Sequence, residues 1–230
     1  MLPLKVVSLD MFQTLVDIQG RAAEVWKPIL QTEFSEERAR LLGSQLLSYY
    51  FELAAEVREA GSFISSREIY TKGFQQIFLR HNMNYDSLQA VDILFAQHRL
   101  SAMYADTEAF LHRICAQFQV CIVSDTDTLM LPEFYRDYPV ELFTSETYRS
   151  YKNDHHNRMF AEVIARYGVK PEQIIHIGDS ASDVLGAARA GIKSCWINRS
   201  QLAWPHHVKP DYTVITLDEV DELLTAGRLN

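Results

Sequence analysis

Ile174–Gly191, IIHIGDSASDVLGAARAG, joins an apolar strand to a helix through Gly178, Asp179 and Ser180, with a second acid, Asp183, four residues after the first. Asp183 has an ordinary structural reading as a helix-start acid favoured by the helix macrodipole, whereas Asp179, directly after a buried strand, has none. Leu4–Leu9 (LKVVSL) is another short β-branched run, and it stops at an acid, Asp10, as a buried parallel strand does on reaching a sheet edge.

Outward from these two segments, the chain alternates from Thr107 onward. Helix 107–118, strand 119–124, helix near 128–136, strand near 140–144 and helix 155–167 are followed by strand 173–178, helix 182–191, strand 193–197, a strand near 212–215 and a helix near 218–225. This order predicts an α/β fold, a Rossmann-like parallel sheet with helices on both faces. Ligands of such sheets bind beyond the carboxyl ends of the strands, so Asp10, Ser124 and Asp179 are expected to converge on one site. After Val16 the character differs: helical periodicity covers 20–32, 36–60, 66–81 and 87–103. Ser65-Ser66-Arg67-Glu68 reads as a capping box and Asp86-Ser87 as a further N-cap. The aromatic stripe Trp26, Tyr49, Tyr50, Phe51, Phe74 and Phe78 has two readings, the lining of a substrate pocket or helical core. The expected division is an α/β core of 1–16 and 104–230 with a helical unit of 17–103 inserted into it.

Composition narrows the function classes. With 47% hydrophobic and 23% charged residues the chain is expected to fold as a globular protein. Its 22 basic against 30 acidic residues, net −8, give no footprint for nucleic acid or anionic lipid. The first apolar run is too short for a signal peptide and no later one spans a bilayer, so a cytoplasmic protein acting on a small-molecule substrate, as monomer or homodimer, is the expectation. Cys115, Cys121 and Cys195 lack zinc spacing and read as buried free thiols. His155-His156 and His206-His207 read as surface residues, and Ser180 has no histidine arrangement around it that sequence can place. Trp204-Pro205 is expected in a loop near the sheet edge.

Two acids converging on Asp10 point to a divalent cation, and oxygen-rich ligation suits Mg²⁺, which retains waters and shares a substrate phosphate. DMFQTLVD at Asp10–Asp17, CIVSD ending a strand at Ser124 and Asp125, Lys152 in SYKND, and GDSASD at Gly178–Asp183 together resemble, in order, the four signatures of the haloacid dehalogenase superfamily. The resemblance runs the length of the chain and implies that the helical unit is a four-helix cap that selects substrates. It further implies that Asp10 is a nucleophile forming a covalent aspartyl intermediate, and that Ser124 and Lys152 hold the transferred group. Phe12, Thr14 and Asp125 would complete the substrate site. Mg²⁺ would lie on Asp10, Asp179 and the main-chain carbonyl of Phe12, while Asp183 would orient Lys152 or a metal-bound water.

Most phosphatases of that superfamily carry a second aspartate two residues after the nucleophile; here the position is Phe12. Losing a positioned proton donor costs a factor of about 10² to 10⁴ for a poor leaving group and little for one that departs as an anion. Three readings follow: a Mg²⁺-dependent phosphatase for good leaving groups, or one that takes an acid from the cap; a metal-independent 2-haloacid dehalogenase, in which an aromatic fills position 12; and a catalytically weak member that binds a phosphorylated ligand or a partner. The dehalogenase reading needs a cap arginine, for which Arg21, Arg38 and Arg40 are available. It also leaves Asp179 and Asp183 repelling the nucleophile with no cation between them, and the phosphoryl reading is preferred.

Overall fold

The computed structural model describes residues 2–225. β1 (Val6–Leu9), β4 (Gln119–Ser124), β5 (Val140–Thr144), β6 (Ile174–Gly178), β7 (Lys193–Ile197) and β8 (Tyr212–Val214) form one six-stranded parallel sheet in the order β5-β4-β1-β6-β7-β8. β1 and β6 lie side by side at its centre and every residue of both is buried, as expected of strands covered on both faces. On one face Val7, Leu9, Ile122 and Ile177 pack with Phe110 and Ile114 of α5 (Thr107–Cys115) and Leu217 and Val220 of α9 (Leu217–Thr225). On the other, Val6, Cys121 and Ile174 meet Phe160 and Val163 of α7 (Arg158–Tyr167) and Ala187 of α8 (Ala181–Arg189).

The segment after β1 leaves the sheet through β2 (Val16–Asp17), which pairs antiparallel with β3 (Ala102–Met103). Between them lie α1 (Ala22–Leu30), α2 (Glu36–Glu59), α3 (Ser66–Arg80) and α4 (Ser87–Arg99), packed around their own hydrophobic cluster. Ser65 and Glu68 form the expected reciprocal capping box and Asp86 caps α4. Trp26, Phe74 and Phe78 of the aromatic stripe are core; Tyr49 and Tyr50 are half-buried, and Phe51 points to solvent at 58% exposure. The stripe is therefore neither a single pocket lining nor wholly core.

Several expected boundaries move. The helix expected near 128–136 is two 3-10 turns, Thr128–Met130 and Phe134–Asp137, because Leu131 precedes Pro132 and is held extended. The last helix of the inserted unit ends at Arg99, and its expected final residues form β3 instead. The first begins as a 3-10 turn at Gln19–Arg21, α5 stops at Cys115, and α7 starts at Arg158 after Asp154 has bound the Tyr151 and Asn157 amides. A one-turn helix, α6 (Ser145–Tyr148), was not anticipated. Cys121 and Cys195 are buried and Cys115 half-buried, all free. Among the described residues, no helix is long and apolar enough to cross a membrane.

Candidate active site

Asp10, Ser124 and Asp179 follow or end β1, β4 and β6, neighbouring parallel strands, so the sheet delivers all three to one edge. The loops beyond them close over that edge. Lys152 Nζ donates to Asp10 Oδ1 at 2.6 Å and to Asp183 Oδ1, with Lys152 only 2% and Asp10 5% exposed. Thr14 lies within 3.5 Å of the other Asp10 oxygen. A carboxylate oxygen from each of Asp10, Asp179 and Asp183 falls within 4.8 Å of the others.

The local backbone explains how three acids and a lysine fit together. Asp183 sits in the first turn of α8, where one oxygen accepts the Ser180 amide at 2.8 Å and its hydroxyl at 2.6 Å. Its helix-start role and its role beside Lys152 thus use different oxygens. A Cβ at Gly178 would lie 2.1 Å from the Asp183 carboxyl carbon, and one at Gly186 would lie 2.3 Å from the Lys152 carbonyl oxygen. Glycine at 178 makes room for the Asp183 carboxylate at the end of β6, and glycine at 186 lets α8 approach the lysine loop. Asp125 ties the loops together, accepting the Lys152 amide at 2.8 Å and the Ser182 hydroxyl at 2.7 Å. Both of its oxygens are therefore engaged within the protein.

Beneath this group lies a pair that the sequence analysis missed. Ser8 and His176 occupy the same register position on β1 and β6; the Ser8 hydroxyl is 2.8 Å from His176 Nδ1, and Nε2 is 2.9 Å from Asp183 Oδ1. One polar residue in each of two otherwise apolar buried strands was the signal available. Burial lowers the basicity of His176, against the pull of Asp183, which leaves a neutral ring able to donate to the carboxylate and accept from serine.

The electrostatics follow from burial and charge count. Burial drives the Asp10 carboxyl up to about 6, Lys152 opposing and Asp183 reinforcing the shift. Asp179 is pushed well above the usual carboxylate range, first by burial and then by the charges of Asp10 and Asp183. For Asp183 burial acts in the same sense, but Lys152 and His176 outweigh it and hold the group well below that range. Burial would discharge Lys152, yet Asp10, Asp183 and Asp125 keep it charged. Three acids share one ammonium, and an all-oxygen donor set with excess negative charge fits a hard divalent cation.

The inserted helical unit touches residues that flank the site. Asp127, three residues beyond Ser124, accepts the first amides of α3, from Ser66 at 2.8 Å and Arg67 at 2.9 Å, and the hydroxyl of Tyr151, next to Lys152, donates to the Ile64 carbonyl at 2.7 Å. Phe12 packs on both the sheet cluster and the helical cluster, with its ring centroid 5.5 Å from that of His98 on α4. Arg199 donates to the Thr14 carbonyl, grips Asp106 through both terminal nitrogens and covers the Tyr104 ring. None of Asp127, Tyr151, His98 and Arg199 was anticipated. Arg21 is engaged by Gln97 and Arg38 by Glu33, while Arg40 is exposed. His155, His156 and His207 are exposed, as expected; His206 is half-buried, edge-on to Trp204, which packs on Trp196, whose indole donates to the Asp179 carbonyl at 2.8 Å. The loop that carries Trp204 joins β7 to the edge strand β8, near the sheet edge as expected.

Known proteins carry the same architecture. L-2-haloacid dehalogenase of Xanthobacter autotrophicus superposes with a TM-score of 0.81 at 16% identity, over 96% of this chain and 98% of that one. The magnesium-bound HAD-hydrolase YfnB of Bacillus subtilis superposes with a TM-score of 0.79 at 17% identity, over 97% and 99%. At these identities the likeness is one of fold. Pyrimidine 5'-nucleotidase YjjG of Escherichia coli (strain K12) is 38% identical over 53 residues, 23% of this chain, and the match spans about a quarter, 24%, of that relative's length. The sequence profile of the haloacid dehalogenase-like hydrolases matches residues 4–191. That span exceeds half of the chain and takes in all four motifs, so the chain belongs to the haloacid dehalogenase-like hydrolase family.

Proposed function

We propose that this hydrolase is a Mg²⁺-dependent phosphatase acting on a small phosphorylated metabolite with a good leaving group, and that Asp10 is its nucleophile. The observation that carries this reading is the close group of buried Asp10 and Asp183 and half-buried Asp179 beside a single lysine, in which burial, and after it the charges of Asp10 and Asp183, push the Asp179 carboxyl up. A phosphatase site needs a cation there; a metal-independent site has no use for the excess of acids.

In this reading Asp10, Asp179 and the main-chain carbonyl of Phe12 hold Mg²⁺, which when bound offsets the charge of nucleophile and phosphoryl group. Lys152 and Ser124 hold the phosphoryl oxygens, Thr14 steadies the second Asp10 oxygen, and Asp125 meets the substrate through its main chain while its carboxylate keeps the Lys152 loop in place. An Asp10 oxygen attacks phosphorus, the bond to the leaving oxygen breaks, and the leaving group departs with its electron pair. Water then attacks the phosphorus of the aspartyl phosphate, returning free carboxylate and phosphate. Asp183, anchored by His176 and Ser180, positions Lys152. The helical unit of residues 17–103 acts as the cap over the site.

The 2-haloacid dehalogenase reading is favoured by one feature, the aromatic ring at position 12, since a departing halide needs no proton. One assay separates the two. Phosphate release from p-nitrophenyl phosphate and acetyl phosphate, with Mg²⁺ and lost on chelation, is the expected result. Chloride release from 2-chloropropionate that survives chelation would replace the phosphatase reading, and turnover of neither would leave a binding protein.

A further inference from the structure

His98, near the end of α4, is buried at 6% exposure, its ring 5.5 Å from Phe12 and 6.2 Å from Tyr70. Its Nδ1 has no hydrogen-bond partner. A buried polar atom left open costs about 1–3 kcal/mol, so its persistence calls for an occupant that the folded chain itself does not supply. The ring stands against the residue two positions beyond Asp10, where an acidic side chain would serve the leaving group and where phenylalanine offers neither donor nor acceptor. A neutral imidazole offers one of each.

We propose that His98 contacts the substrate on its leaving-group side, supplying from the helical unit the hydrogen bond that Phe12 cannot make. This rests on the phosphatase reading and extends it: the substrate's leaving portion carries a polar atom, at or next to the ester oxygen, that reaches the underside of α4. Substrates are then selected at this point by hydrogen bonding rather than by apolar fit. Ser101 Oγ, in the same turn, is also buried without a partner. A water bridging Ser101 and His98 is the competing explanation, and it makes no distinction between leaving groups.

The test is the dependence of kcat/KM on leaving-group acidity across a series running from p-nitrophenyl phosphate to alkyl phosphates, for the wild type, His98→Phe and His98→Asn. His98→Phe retains a buried ring and removes both nitrogens; it should lower kcat/KM throughout, with the loss on alkyl esters about tenfold larger than on p-nitrophenyl phosphate, the equivalent of one hydrogen bond. His98→Asn, which restores a donor and an acceptor, should recover part of that difference. An equal loss across the series, or no loss, assigns His98 a packing or water-binding role and overturns the proposal while leaving the phosphatase reading standing. Should the wild type release phosphate from no member of the series, both fall together. If His98→Phe fails to fold, His98→Ala and His98→Asn decide together: a steeper slope for His98→Ala that His98→Asn recovers at least in part retains the proposal, and a His98→Ala slope equal to that of wild type overturns it.

Discussion

The strand ends of the sheet and the underside of the helical unit face one another, and they are built on opposite plans. On the sheet side the charged groups are tied to one another: Lys152 lies between Asp10 and Asp183, Asp183 also binds His176 and Ser180, and Asp125 binds the Lys152 loop and the first turn of α8 at once. Above it, Phe12, His98, Tyr70 and Tyr50 form a row of rings in which one imidazole nitrogen is left open. A fully bonded buried network holds fixed positions, which suits groups that must meet a reacting atom; a loosely bonded aromatic surface suits contact with the variable part of a substrate. In the proposed reading, reaction and selection fall on separate parts of the chain.

Breaking the network should have the largest effect. Lys152→Met leaves Asp10 and Asp183 buried without their cation, so we expect turnover to be lost and stability to drop by about 3–5 kcal/mol in urea unfolding. A variant as stable as wild type would show that the acids are far less dependent on the lysine than their geometry implies.

The joint between the two regions should matter less, and in a way that depends on pH. Asp106 is partly buried, which opposes its ionisation, but its bonds from Arg199 and from the Leu217 amide prevail and hold its carboxyl below the usual value. An acid depressed in the folded state contributes stability above its unfolded pKa and loses it as pH falls through the folded one. Asp106→Asn should therefore be less stable than wild type by about 2 kcal/mol near neutrality. The gap between their melting curves should close below about pH 4, the ordinary aspartate range. A gap that is constant with pH would mean that the charge of Asp106 contributes nothing.

The smallest effect is expected where the helical unit is capped from the sheet side. Asp127→Ala removes both acceptors for the Ser66 and Arg67 amides and should destabilise the first turn of α3 by about 1 kcal/mol. Amide hydrogen exchange at Ser66 and Arg67 should quicken while exchange in β1 and β6 stays unchanged. Unaltered exchange at the two amides would show that the contact does not hold the regions together.

How far the sequence discloses this plan differs between the two regions. The strand ends were legible because the signal is local: an apolar run that stops at an acid, or the glycine that must precede Asp179 so that Asp183 can fold back against it. The capping box at Ser65 was readable for the same reason. Interactions between distant residues were not. Ser8 and His176 are 168 positions apart and become partners only through strand register, Arg199 reaches back 185 residues to Thr14, and the open nitrogen of His98 is defined by what the fold leaves around it. The helix expected near 128–136 is broken by a signal that is local, Pro132, which holds the residue before it extended.

The central claim, that the Asp10 carboxylate attacks the substrate, is most directly tested by acid-quenching the protein during turnover of acetyl phosphate with Mg²⁺ and reading the mass of the peptide that carries Asp10. A phosphoryl adduct on Asp10 in the wild type, absent from Asp10→Asn, is the predicted result. Undiminished phosphate release by Asp10→Asn, with no adduct on the wild-type peptide, would contradict it.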